Sequence, residues 1–469
     1  MSTTRVTAAV AGVFVLLGAG WVTADAYDVV PGVVTLDAPH PPPVPFPTAP
    51  GAVEPPGLLA GPAEPTDPVP VPEADELRAL ADAVVAHRWI GESVGIVVAD
   101  GVTGEVLVDV DGATPREPAS TAKLLTAVAA TSALGPDATV ETRVVQEGPG
   151  RIVLVGGGDV MLAAGAGDPD AINGRAGLAD LADDTARALA LAGTTEVALA
   201  LDDTLFSGPD VAPGWTPGDL ALGYMARVSP IAVNIAKTRE EPYPPRHADP
   251  SMHAATTFAA LLRDRGVTVV GEPARATASA SAVPLASVRS ATVREVVRYL
   301  LHTSDNTVTE VVGRLVALDA GLPGSFQGAT RAVLAEVRGL GVDVEGAVLA
   351  DCSGLAEGSA LPTSLLVDLM RVADADAQLR GVLVDLPVAG WQGTLGDRYG
   401  DLPARGLVRA KTGSLVGVTS LAGTVVTQQG RHLLFAVVAD RTPPGGQLGP
   451  RRVVDAFVQQ LAGCGCGLP

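Results

Sequence analysis

Fifteen of the chain's 38 prolines fall between residues 31 and 72, including Pro41-Pro42-Pro43 and Val69-Pro70-Val71-Pro72. Proline fixes φ and removes a backbone donor, so a segment this dense in it builds no helix, no central strand and no packed core. Residues 27–72 therefore read as an extended, semi-rigid linker. Ahead of it, Val6 to Ala24 is an almost uncharged apolar run preceded by Arg5. Residues 1–26 read as a signal peptide or a membrane anchor. Ala24-Asp25-Ala26 has the small-x-small form of a cleavage site, whereas the length of the run suits a bilayer span, and the anchor is favoured. Either reading puts the rest of the chain outside the cytoplasm, with membrane contact through this segment if it is uncleaved.

The body that follows has the material for a substantial core, since 47% of the 469 residues are apolar. The formal charge is −20, from 52 acidic and 32 basic residues with no lysine-rich run, which argues against an electrostatic grip on nucleic acid. Aromatic residues make up only 3%, too few for a base-stacking platform. The six histidines are scattered without H-E-x-x-H or paired Cys/His spacing, so neither a metal nor another cofactor is expected. Three cysteines leave an odd thiol. Two form Cys464-Gly465-Cys466 in the tail (463–469), and a bond from Cys352 to either would tie down the C-terminus, the alternative being a free thiol.

From about Glu73 the apolar positions Leu77, Leu80, Ala81, Val84 and Val85 recur at helical spacing. Val94–Ala99 and Glu105–Val110 flank Asp100-Gly101-Val102-Thr103-Gly104 and read as a hairpin. A largely buried helix begins at Ser120, carrying Leu124, Leu125, Val128 and Leu134. Residues 139–280 change texture to short strands and Gly/Ala-rich segments, which predicts an inserted, mostly-β domain. It interrupts a body made of residues 73–138 and 281–462. That body ends in strands near Val408–Lys411, Val418–Val426 and Leu433–Ala439 and a helix with Val453, Val454, Phe457, Val458 and Leu461 on one face. The layout is α+β, with a sheet joining both ends of the chain.

Only three lysines occur, against 29 arginines, and two of them lie in Ser120-Thr121-Ala122-Lys123 and Lys411-Thr412-Gly413. Arginine is permanently charged, whereas a buried ammonium gives up its proton readily and then serves as a base. One turn separates Ser120 from Lys123, so both side chains share a face, and a neutral Lys123 would activate the serine hydroxyl. Taken alone, the pair fits an N-cap serine and a solvated lysine equally well. Ser304-Asp305-Asn306 follows 184 residues after Ser120, and Lys411-Thr412-Gly413-Ser414 follows 107 after Ser304. S-x-x-K, S-D-N and K-T-G in that order are the signature of β-lactamases and penicillin-binding proteins.

Further stretches carry the likeness: Leu154–Asp159, Arg227–Asn234, Asp351–Leu355, and Leu386–Gly390 followed by Gly393-Thr394-Leu395. With the three motifs they make residues 73–461 resemble the low-molecular-mass class C penicillin-binding proteins, the D-alanyl-D-alanine carboxypeptidase/endopeptidase family. The resemblance implies a penicillin-binding/serine β-lactamase-like transpeptidase fold, an antiparallel sheet flanked by helices. It also implies an extracytoplasmic serine peptidase that takes peptidoglycan stem peptides and is acylated by β-lactams.

Implied roles follow at matching positions. Ser120 is the nucleophile and Lys123 its base, Ser304 relays a proton, Asn306 orients Lys123, and Lys411 adds positive charge that helps keep Lys123 neutral. Thr412, Gly413 and Ser414 hold the substrate, and the backbone N–H groups of Ser120 and Ser414 form an oxyanion hole. Asp159 is implied to contact the substrate's diamino-acid side chain. As a carboxylate after three glycines it fits a turn cap equally well. A β-lactamase and a catalytically silent cell-wall-binding protein are the alternatives; the E-x-x-L-N loop of the former is not found in the sequence.

Overall fold

A computed structural model of the protein describes residues 21–22, 69–400 and 402–463. The expected signal or anchor segment (Trp21 and Val22 apart), the linker up to residue 68, and Cys464 and Cys466 lie outside the described residues. Among the described residues no helix is long and apolar enough to cross a membrane.

Helix α1 (Ala74–Val85) turns Leu77, Ala81 and Val84 inward. Strands β1 (Val94–Asp100) and β2 (Val106–Val110) then pair antiparallel. Asp100 closes their turn by accepting from the N–H groups of Val102 (2.7 Å) and Thr103 (3.0 Å). A 3-10 turn at Ala119–Ala122 leads into helix α2 (Lys123–Leu134). The first nine residues of α2, Lys123 to Thr131, are all buried, as befits a helix apolar around its whole circumference.

The inserted region is not mostly β. It contains β3 (Glu141–Gln146), β4 (Arg151–Val155), β5 (Asp159–Leu162), helix α3 (Leu178–Leu191), β6 (Glu196–Asp202), β7 (Ile231–Val233) and helix α4 (Pro250–Asp264). A further strand, β8 (Val283–Arg289), pairs antiparallel with β3, so the inserted sheet runs past the expected boundary at residue 280. Its order is Ala274–Arg275, β6, β4, β3, β8, with Thr268–Val269 added beside β6. Strands β4 and β6 are parallel, and α3 lies between β4 and β6 in the chain, as a parallel pair requires a crossover. The misreading has a physical cause. Alanines at Ala179, Ala182, Ala186, Ala188 and Ala190 blur the apolar stripe of α3, yet Leu178, Leu181, Ala182, Thr185 and Leu189 are buried against the sheet together with Phe258 of α4. Phe258 is fully buried, and burying such a side chain stabilises the fold by about 1.5–3 kcal/mol.

Helices α5 (Val293–Thr303), α6 (Asn306–Asp319), α7 (Phe326–Gly339) and α8 (Thr363–Ala375) return the chain to the first body. Strands β9 (Val408–Leu415), β10 (Val418–Val426) and β11 (His432–Ala439) complete an antiparallel sheet of order β9-β10-β11-β1-β2. The last helix, α9 (Leu448–Gly463), packs with α1. Side-chain alternation divides the sheet cleanly. Ile96, Val98, Phe435 and Val437 face α1 and α9, whereas Val97, Ala99, Leu434 and Ala436 face the cluster built on α2, α6 and α8.

Candidate active site

Three local devices bring the motifs to one place. The first is the 3-10 turn before α2. Ala119 has φ +48°, a left-handed conformation that costs a residue with a Cβ about 1–2 kcal/mol, and it presents half-buried Ser120 at the helix start. The second is Ser304-Asp305-Asn306, which reverses the chain between two helices. Ser304 ends α5 at φ +56°, Asp305 caps α6 by accepting from Val308 N at 2.9 Å, and Asn306 is the first residue of α6. The third is the edge strand β9, which carries Lys411 to Ser414. A Cβ on Gly413 would stand 2.1 Å from Ser420 Oγ and 2.7 Å from the Pro118 carbonyl, so only glycine lets β9 pass this close to the nucleophile's turn.

Lys123 is fully buried, and its Nζ lies 3.0 Å from Ser120 Oγ, 2.7 Å from Asn306 Oδ1 and 2.7 Å from the Ser353 carbonyl. This geometry matters for the neutral amine, which has two N–H groups and one lone pair. The two carbonyl oxygens accept the N–H groups, which leaves the lone pair for the Ser120 hydroxyl. Burial pushes Lys123 down to about 8, against the opposing pull of Asp351, Glu310 and Asp305. The leading cause is thus burial rather than the second lysine. Lys411 is also fully buried, with Nζ donating to Ser304 Oγ at 2.9 Å and to the Thr412 carbonyl at 2.8 Å. Burial, and then Lys123, push it down as well. Repulsion between two cations is mutual, so a proton lost from either eases the other.

Ser120, Lys123 and Asn306 therefore form one hydrogen-bonded group and Ser304 and Lys411 a second, and the two are related by the Ser304-Asp305-Asn306 turn and by repulsion between the lysines. Thr412 Oγ1 lies 3.0 Å from Thr394 Oγ1, and Ser414 is exposed beyond Gly413. Asp159 does not join them. Its carboxyl accepts from Met161 N at 2.8 Å and lines an apolar cavity of about 40 Å³ with Val160, Val293, Val296, Val308 and Leu315, so the side chain caps its own turn. Burial pushes it up to about 6. Among the described residues no group of three or more His, Cys, Asp or Glu side chains is placed to hold a metal ion.

Sequence reasoning missed the support behind the lysine. Residues Asp351–Gly354 form a turn whose Ser353 carbonyl holds Lys123. Asp351 ties that turn together, accepting from the N–H groups of Ser353, Gly354 and Ala356, from Ser353 Oγ and from Trp215 Nε1. Gly354 (φ +72°) is obligatory here, since a Cβ would stand 2.0 Å from the Ala119 carbonyl. Ser353 thus contributes its backbone, and its hydroxyl serves Asp351. Tyr224 contributes only its carbonyl, which accepts from Asn306 Nδ2 at 2.9 Å. Cys352 within the turn is buried and, among the described residues, a free thiol. A charged residue on the mostly apolar stretch Val308–Gly313 of α6, Glu310, was the signal available in the sequence.

Residues 77–247 and 236–462 match the D-Ala-D-Ala carboxypeptidase 3 (S13) family. The chain belongs to that family. It is a D-Ala-D-Ala carboxypeptidase, a hydrolase. It is 35% identical over 410 residues to the carboxypeptidase DacB of Mycolicibacterium smegmatis, covering 85% of this chain and 86% of that one. A Mycobacterium tuberculosis carboxypeptidase is 35% identical over 452 residues, covering 92% of this chain and 90% of that one. Among solved structures, penicillin-binding protein 4 of Haemophilus influenzae superimposes with a TM-score of 0.67 at 22% identity, over 81% of this chain and 98% of that one. The carboxypeptidase therefore has the penicillin-binding-protein fold expected from its motifs.

Proposed function

We propose that this carboxypeptidase works through an acyl-enzyme on Ser120, with Lys123 as general base. The observation that carries the assignment is the set of three partners around Lys123 Nζ, which points the lone pair of a neutral amine at Ser120 Oγ. Ser120 attacks the carbonyl between two D-alanine residues, its proton passes to Lys123, and a tetrahedral oxyanion forms. The N–H of Ser120, near a helix start, and that of Ser414, on the edge strand, serve as its donors. The proton then reaches the departing amine through Ser304, held by Lys411. Water attacks the acyl group by the reverse path.

Lys411 also explains how a chain of charge −20 accepts an anionic peptide. A substrate carboxylate held by the Thr412 and Ser414 hydroxyls favours the protonated form of Lys411, and mutual repulsion then favours the neutral form of Lys123. Binding thus helps prepare the base.

The substrates are peptidoglycan stem peptides, and β-lactams acylate the same serine. The Haemophilus influenzae protein has been captured with a β-lactam, and similarity in fold supports the same capture here. Action on the cell wall places the enzyme outside the cytoplasm, anchored or released according to the fate of residues 1–26. Intact-protein mass after exposure to benzylpenicillin, for wild type and Ser120→Ala, tests this reading. A persistent adduct that requires Ser120 is expected. Rapid turnover of the drug would identify a β-lactamase, and absence of any adduct would overturn the acyl-enzyme.

A further inference from the structure

Glu310 takes no part in the chemistry above, yet it is a fully buried carboxyl one step removed from the base. It lies on α6 one turn after Asn306, and residues four apart on a helix project from the same face. Asn306 reaches Lys123 directly. Glu310 reaches it through the turn: Oε1 accepts from Ser353 N at 2.8 Å and Oε2 from Cys352 N at 3.2 Å. From the opposite side α2 holds the carbonyls of the same two residues, Thr126 Oγ1 donating to Cys352 O at 2.7 Å and Lys123 Nζ to Ser353 O at 2.7 Å. Residues 352 and 353 are thereby gripped by their N–H groups from one helix and by their carbonyls from another.

Desolvating a carboxylate costs several kcal/mol, and an apolar side chain of similar volume fills a core at least as well. Packing alone does not account for an acid here. We infer that Glu310 is a positioning residue for Lys123, fixing the Ser353 carbonyl that aims the amine at Ser120. Its charge has a second effect, because an anion near Lys123 favours the ammonium form. The charged and titratable groups that face Glu310 are Lys123 on α2, Asp351 and Cys352 on the turn, and Arg314 one turn further along α6. Burial first, then Asp351, push the Glu310 carboxyl up to about 8, with Lys123 opposing.

The inference rests on Lys123 being the base, and the experiment separates the two. Glu310→Gln keeps the shape, removes the charge and cannot accept from both N–H groups. Glu310→Asp keeps the charge but falls one methylene short of the turn. Acylation by benzylpenicillin is followed from pH 6 to 10 alongside thermal melting. Glu310→Gln is expected to acylate roughly tenfold or more slowly at pH 9, and its acid limb to move down by about half a pH unit or more. Glu310→Asp is expected to slow comparably with its limb in place. A lower melting temperature with wild-type rate and limb in the folded enzyme would overturn the positioning role. If Glu310→Gln does not fold, Thr126→Val removes the grip of α2 on the same turn. Several-fold slower acylation is then expected, and an unchanged rate would overturn the inference. Wild-type enzyme that takes no adduct on Ser120 would overturn the base assignment instead.

Discussion

Raising the pH perturbs the proposed base without a substitution. Lysine's ordinary value of 10.5 leaves about three amines in ten thousand neutral at pH 7, whereas a value of about 8 leaves roughly one in ten. Burial therefore enlarges the reactive fraction roughly 300-fold, equivalent to about 3 kcal/mol of barrier. The neutral amine is the reactive form, so the sign is fixed: the second-order acylation constant with benzylpenicillin should climb roughly tenfold from pH 7 to 9 and then level off. Timed acid quenching followed by intact mass gives the constant, and circular dichroism at each pH confirms the fold. A flat rate across this window, or one still rising tenfold per unit above pH 9, would refute a base tuned by burial. Stability carries the same sign. Between about 8 and 10.5 the unfolded chain binds more protons at this lysine than the native state does, so this group's contribution is lost as pH falls through about 8.

Three other outcomes follow from the same geometry. Lys123→Arg keeps the charge but cannot release it, and acylation should drop by roughly a hundredfold or more while the protein still melts cooperatively; near-normal acylation would remove Lys123 from its role. Gly354→Ala places a Cβ 2.0 Å from the Ala119 carbonyl at φ +72°, so we expect more than about 1 kcal/mol of lost stability in urea melts, together with slower acylation. Asp159 is pushed up to about 6, so its contribution to stability is full below about pH 4 and is lost as pH rises through about 6. Asp159→Asn should therefore raise stability at pH 8 by up to about 3 kcal/mol with the gain gone near pH 4, and equal gains at both would count against the burial of that carboxyl.

What was legible in the sequence was whatever is encoded locally. The hairpin, the apolar α2 and the alternating β11 are patterns of neighbours, and S-x-x-K places Ser120 and Lys123 together because both lie within one turn. The joining of Lys123 to Asn306 and of Lys411 to Ser304 was foreseen only through the motif set, since nothing in residues 123 or 306 alone specifies a partner 183 positions away. The Ser353 carbonyl was invisible because a backbone atom has no sequence signature. Asp159 meets a related limit: three glycines followed by an acid describe a tight turn whichever way the carboxyl points. In the insertion, alanine-rich helices hid the 3.6-residue period on which helix assignment depends.

The Lys123 contacts span 183 and 230 residues, and the sheet beside them takes strands from both ends of the body. Loop closure on that scale comes late in folding. A nascent or refolding chain should thus show most of its circular dichroism before any serine reacts with penicillin, and a product truncated before β9 should never react, having no Lys411. Drug labelling is in that sense a proofreading mark, carried only by molecules whose whole chain has closed.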